Sequence, residues 1–158
     1  MSWSDRRSLL LGLMALAGCG FQPALGPGAP ARGLMNAVLV DAPGDKDAYD
    51  LVERLEERLG RSQTPAYRLS YRISTGQTGL GITPEGATTR YNLDGSVTYT
   101  LEDIASGTQI AAGRVESFTS WSATGSTLST LGAEQDARRR LMHILADQIV
   151  TRLIAGRS

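Results

Sequence analysis

The sequence predicts an α+β fold: a small, mostly antiparallel four-strand sheet with two helices packed on one face, in the order β-α-β-β-β-α. Three observations carry this. Leu51, Leu55 and Leu59 recur at helical spacing, and a second apolar stripe runs over residues 134–155. The segments between them alternate apolar and polar residues with the two-residue period of a half-buried strand. Strands cluster between two long helices instead of alternating with them, which favours helices on one face over a doubly wound sheet.

The elements follow in chain order. Residues 35–40 (MNAVLV) form a short β-prone run, ended by Asp41-Ala42-Pro43-Gly44. A helix begins near Asp47, with Ala48 and Val52 beside the leucine stripe and Glu53, Arg54, Glu56, Glu57 and Arg58 on its wet face. Asp45 or Asp47 serves as N-cap, and Gly60 ends it. Residues 67–74 (YRLSYRIS) alternate without a slip. Residues 89–103 alternate too, through Tyr91, Leu93, Val97, Tyr99 and Leu101. Asp94-Gly95 interrupts that run as a hairpin turn or a bulge. Parity is kept on both sides, so the reading is one long strand with a local irregularity. Residues 105–108 make a turn. The third of these strands covers 109–121, and the change of parity between Val115 and Phe118 predicts a bulge or twist. Residues 122–130 (SATGSTLST) read as an exposed loop. The last helix carries Ala137, Leu141, Ile144, Leu145, Ile149 and Leu153 on its stripe and stops at Gly156. Arg139 and Arg140 fall off that stripe, and Arg138 sits on its shoulder.

The front of the chain has a different character. Arg6 and Arg7 precede a short apolar run over residues 9–17, about half the ~20 residues needed to span a bilayer. A charged start, a short apolar stretch and small residues make a secretory signal. Leu16-Ala17-Gly18-Cys19 resembles the lipobox of bacterial lipoproteins, in which the cysteine thiol is lipidated and the signal is cut before it. The expected organisation is a signal peptide over 1–18, a lipidated Cys19 and Gly/Pro-rich tether over 19–33, and one domain over 34–158. Gly20 stands where an aspartate retains lipoproteins at the inner membrane in well-studied envelopes, so the outer membrane is the expected address. Asp5-Arg6-Arg7-Ser8-Leu9-Leu10 matches a twin-arginine signal loosely, leaving the export route open.

Removing residues 1–18 leaves about 140 residues with a formal charge of about −1, enough for one real core. A near-neutral domain is not a nucleic-acid binder by bulk electrostatics. Cys19 is the only cysteine, so no internal disulfide forms. His143 is the only histidine and lies inside the last helix, where it reads as structural. It has no second histidine or cysteine with which to build a zinc-type site. Neither a Gly-x-Ser-x-Gly elbow nor a phosphate loop occurs. The expectation is a non-enzyme without cofactor or metal.

Several features together resemble the LptE family of lipopolysaccharide-assembly lipoproteins. They are the Cys19-Gly20-Phe21 start, the element order, Tyr91 in its alternating strand, and two pieces of the last helix: Ala133-Glu134-Gln135-Asp136 and residues 146–153 (ADQIVTRL). The resemblance implies an outer-membrane lipoprotein, anchored by its N-terminal lipid, that sits as a plug inside an LptD-like β-barrel. It also implies help in folding that barrel and contact with the lipid A phosphates of lipopolysaccharide. Counting from Glu134-Gln135-Asp136, the family's basic helix position falls at Arg140, with Arg139 and Arg138 beside it. A second family basic position aligns near Pro84-Glu85-Gly86, where this chain has none; Arg90 is the nearest. Arginine forks suit phosphate, although the first turns of a helix are the wrong end for cations. Two other readings compete: an auxiliary lipoprotein of a lipid-trafficking ABC system, and a lipid-anchored enzyme.

Overall fold

The computed structural model describes residues 33–82, 88–123 and 126–156. The signal segment, Cys19, the tether up to residue 32 and Pro84-Glu85-Gly86 lie outside these residues. The elements are β1 (Val38–Val40), α1 (Lys46–Leu59), β2 (Tyr67–Ile82), β3 (Thr88–Asp103), β4 (Gln109–Ser122) and α2 (Thr127–Ala155). They form one four-stranded sheet in the order β1-β2-β3-β4. β1 runs parallel to β2, and the other neighbours are antiparallel. The α+β class and the element order are as the sequence predicts.

α1 forms where its leucines recur. Ala48, Leu51, Val52, Leu55 and Leu59 are all buried. Asp45 is the N-cap: its carboxylate accepts the Ala48 N–H at 2.8 Å, leaving Asp47 free to bond elsewhere. Gly60 ends the helix at φ 79°, and a side chain there would collide with that of Asn36. The Asn36 N–H in turn donates to the Leu59 carbonyl at 2.8 Å. The entry to β1 and the exit of α1 are thus fastened together. Asp50 breaks the helix's amphipathic rule: it is only 3 % exposed and takes Lys46 Nζ at 3.4 Å.

Five details differ from the sequence reading. β2 runs on to Ile82 instead of stopping near Ser74. Its continuation, TGQTGLGI, has no apolar face to signal a strand, because residues 74–81 are exposed whichever way they point; the ladder to β3 holds it. Asp94-Gly95 is neither turn nor bulge. Pairing passes straight through, with Asp94 opposite Gly76 and Phe118, and Gly95 opposite Thr75 and Ser117. The register shift lies instead between Leu101 and Glu102, against the start of β4. Phe118 needs no bulge after Val115: Val115 and Trp121 turn inward, and Phe118 lies on the opposite face. α2 begins at Thr127, not Glu134, because Ser126 caps it by accepting the Ser129 N–H at 3.3 Å. Finally, Ile144 is half-exposed, while Met142, Ala146 and Val150 are buried. α2 packs on α1 as well as on β3 and β4, so its dry face is wider than one stripe.

Polar contacts fix α2 in place. Thr119 Oγ1 donates to the Ala137 carbonyl at 3.0 Å, tying the helix to β4. Arg54 forks onto Asp147, Nε to Oδ1 and Nη2 to Oδ2, both at 3.1 Å, and Arg58 joins at 2.7 Å. These hydrogen bonds to Asp147, then to Glu57, raise the Arg54 pKa. Near the other end of α1, Arg138 reaches Asp47 at 3.1 Å.

The turn between β3 and β4 provides a pH test. The Ser106 N–H and Oγ–H both donate to Asp103 Oδ1, at 2.9 and 3.0 Å. The first of these bonds, then the second, holds the Asp103 carboxyl below the usual aspartate value. A depressed folded pKa gives stability that is present above the unfolded value and lost as pH falls through the folded one. An NMR titration of the Asp103 side-chain carbonyl is expected to show a midpoint below that of an exposed aspartate, and Ser106→Ala to raise it. An unchanged midpoint in Ser106→Ala would contradict the assignment.

Candidate functional site

The helices cover one face of the sheet. On β3 the odd-numbered Leu93, Val97, Tyr99 and Leu101 point into the core, so the even-numbered residues lie on the open face. The register then builds that face in rows. Arg72, Thr98 and Arg114 form one row; Ser74, Ser96 and Glu116 the next; Gly76, Asp94 and Phe118 the third. A shallow depression of about 470 Å³ opens across these rows. Phe118 stands at its side, 67 % exposed. On the core side, Tyr91 and Trp121 stack with ring centroids 5.2 Å apart and planes at 19°.

The four arginines singled out by sequence do not converge. Arg138 is in the helix–helix seam, bonded to Asp47 and, at 3.2 Å, to Glu134. Arg139 lies at the surface, 3.7 Å from Glu53 on α1. Arg140 points to solvent and pairs with Asp136 at 3.2 Å. Arg90 is exposed on β3 with no side-chain hydrogen bond or ion pair among the described residues. Its even position puts it on the open face, so the sheet lies between it and α2. Among the described residues, no group of His, Cys, Asp and Glu is placed to hold a metal, and no helix is long and apolar enough to cross a membrane.

A family model described as LptE, lipopolysaccharide-assembly, matches residues 35–153. The chain belongs to the LptE family. The match begins just ahead of β1 and ends at Leu153, the last buried residue of α2, so it takes in every element of the fold. Membership places the chain in lipopolysaccharide assembly. Solved structures share the fold. A lipoprotein candidate from Caulobacter crescentus is 20% identical with a TM-score of 0.68, covering 80% of this chain and 95% of that one. Rare lipoprotein B from Shewanella oneidensis is 14% identical at 0.58, over 76% and 93%. A minor lipoprotein from Acinetobacter baumannii is 21% identical at 0.54, over 77% and 90%. A search of curated proteins finds no match.

Against what the LptE resemblance implies for its basic residues, the geometry is selective. Arg140 is accessible and needs to release only an exposed carboxylate. Arg138 is committed to the packing of the two helices. Arg90 lies on the other side of the sheet. Sequence reasoning missed Phe118 as a surface residue. The signal was present: Val115, Ser117, Thr119 and Trp121 share one parity, and Phe118 has the other.

Proposed function

We propose that this chain is a lipid-anchored outer-membrane lipoprotein that plugs an LptD-type barrel, supports assembly of that barrel and assists lipopolysaccharide transport to the cell surface. The observation that carries the reading is the LptE match over residues 35–153. The organisation in this reading is signal 1–18, lipidated Cys19 and tether 19–33, and a domain over 34–158. The role is structural and non-catalytic, and the chain takes no cofactor. Arg140, and Arg139 beside it, contact lipid A phosphates in this reading, and Arg90 makes a separate contact.

The surface suits a water-filled lumen. The open sheet face is rich in hydroxyls and charged groups. At Leu34 the chain enters the domain beside the C-terminal end of α1. The opposite end holds the start of α2, where Leu128 and Leu131 are 82 % and 51 % exposed. A 16-residue strand spans roughly 50 Å, so the point where the chain enters the domain at Leu34 and these leucines are far apart. Two bare leucines at i and i+3 on a polar domain suit a protein contact.

The test is affinity purification of the full-length protein from detergent-solubilised outer membrane. A large β-barrel protein is expected at one-to-one stoichiometry, and Leu128→Asp with Leu131→Asp is expected to lower its recovery several-fold. Both side chains are exposed, so the fold is retained, which circular dichroism checks. Recovery of the wild-type chain alone, or with an inner-membrane ABC complex, overturns the reading in favour of an auxiliary subunit.

A further inference from the structure

We infer that the depression on the open sheet face is a saccharide-binding site, with Phe118 as its stacking platform. Three strands build it. Ser74 and Gly76 of β2 and Ser96 of β3 make a floor of small side chains, and Asp94 of β3 with Arg114 and Glu116 of β4 makes the polar wall. A side chain built on Gly76 would meet nothing within 4 Å, so the floor is open there. Asp94 is oriented by the Asn92 side-chain amide, which donates to its Oδ1 at 2.9 Å. Arg114 Nε pairs with Glu116 at 2.7 Å. The backbone carbonyl of Arg114 accepts from Arg152, which holds the edge of β4 against α2.

The chemistry of the wall selects the ligand. A pyranose ring has an apolar C–H face and a rim of hydroxyls. Phe118 presents one ring-sized apolar surface beside a polar floor and wall. Asp94 and Glu116 accept hydroxyl protons, and Arg114 donates. An apolar peptide seated on Phe118 would strip water from these charges without pairing them. Within the lining, a phosphate would meet two carboxylates, Asp94 and Glu116, against one arginine, Arg114, that is already paired. A neutral sugar unit satisfies both the ring and its rim. The inference rests on the lipopolysaccharide-assembly reading only for the source of that sugar, the saccharide portion of lipopolysaccharide.

The experiment uses the full-length protein in detergent, labelled with ¹⁵N. One probe is a neutral core oligosaccharide of rough lipopolysaccharide, freed of acyl chains, phosphate and acidic sugars, and the other is inorganic phosphate. The oligosaccharide is expected to shift the amides of Ser74, Gly76, Ser96 and Phe118, and phosphate to leave them in place. Phe118→Ala is expected to weaken the binding at least tenfold. Gly76→Val fills the floor and is expected to do the same without lowering the melting temperature. Equal shifts with phosphate, no shifts at these amides, or full binding by both variants overturns the inference. Barrel copurification with the same variants separates the two proposals. A barrel recovered with wild type but no oligosaccharide bound sinks the groove alone; oligosaccharide bound but no barrel recovered sinks the plug alone. Loss of the barrel from Phe118→Ala makes the groove a barrel contact and overturns its saccharide role.

Discussion

Gly95→Val is expected to destabilise the domain by about 2–3 kcal/mol and lower its melting temperature by roughly 10 °C. The cause is a close approach. A Cβ at position 95 would lie 2.8 Å from Leu141 Cδ2, 3.2 Å from Leu141 Cγ and 3.2 Å from Leu145 Cδ1. Both leucines are fully buried. Neither has open space to move into, because the interior is packed to crystal-like density. Either α2 lifts from β3 or the leucines leave their rotamers. Valine has a compensating advantage, since glycine in a strand interior costs about 0.5–1 kcal/mol of backbone entropy, but overpacking outweighs it. Gly76 is the internal control. It sits beside Gly95's partner Thr75 on β2, yet a side chain there meets open space. Gly76→Ala is therefore expected to be neutral or to stabilise by about 0.5 kcal/mol. Urea unfolding followed by circular dichroism measures both. Equal effects of Gly76→Ala and Gly95→Val would show that α2 does not rest on β3 at this point.

This glycine also shows which parts of the fold are legible in a sequence. The leucine stripe of α1 and the Leu141–Leu145–Ile149–Leu153 run of α2 are legible because burial imposes a period. The alternation of β3 is legible for the same reason. Asp94-Gly95 resembles a turn because both residues favour turns, yet here the glycine serves packing between layers. The second half of β2 and the first turns of α2 carry no burial and so no period, and both escape sequence reading. Asp50 escapes too, because a carboxylate on the dry side of a helix runs against the rule that finds helices.

The candidate sites fare differently. Arg138, Arg139 and Arg140 form a cluster in sequence, but successive residues on a helix point about 100° apart. One joins the helix seam, one leans towards α1, and one faces water. Adjacent residues on a helix do not make a patch. The Phe118 depression has the opposite character. Its residues come from three strands and meet only through the β2–β3–β4 register, which no local pattern reports.

Cys19→Ser is expected to have the largest effect on where the protein resides. In the lipoprotein reading, the thiol of Cys19 carries a diacylglyceryl group and the new amine a further acyl chain. Each buried methylene contributes about 0.8 kcal/mol, and a single chain gives only reversible binding, so firm anchoring needs more than one. Serine cannot form the thioether. The variant is expected to lose all label from radiolabelled palmitate, to keep its signal segment and migrate more slowly, and to leave the outer-membrane fraction. The apolar run of residues 9–17 is too short to replace the anchor by spanning. Continued labelling of Cys19→Ser would overturn lipidation at this site. If the unlabelled variant still copurifies with a barrel in detergent, the domain itself supplies that affinity, and the lipid serves to concentrate it at the membrane where the barrel assembles. If barrel recovery is lost with the lipid while the folded domain persists, the affinity lies in the lipidated N-terminal segment, and the exposed leucines at the start of α2 are not the contact.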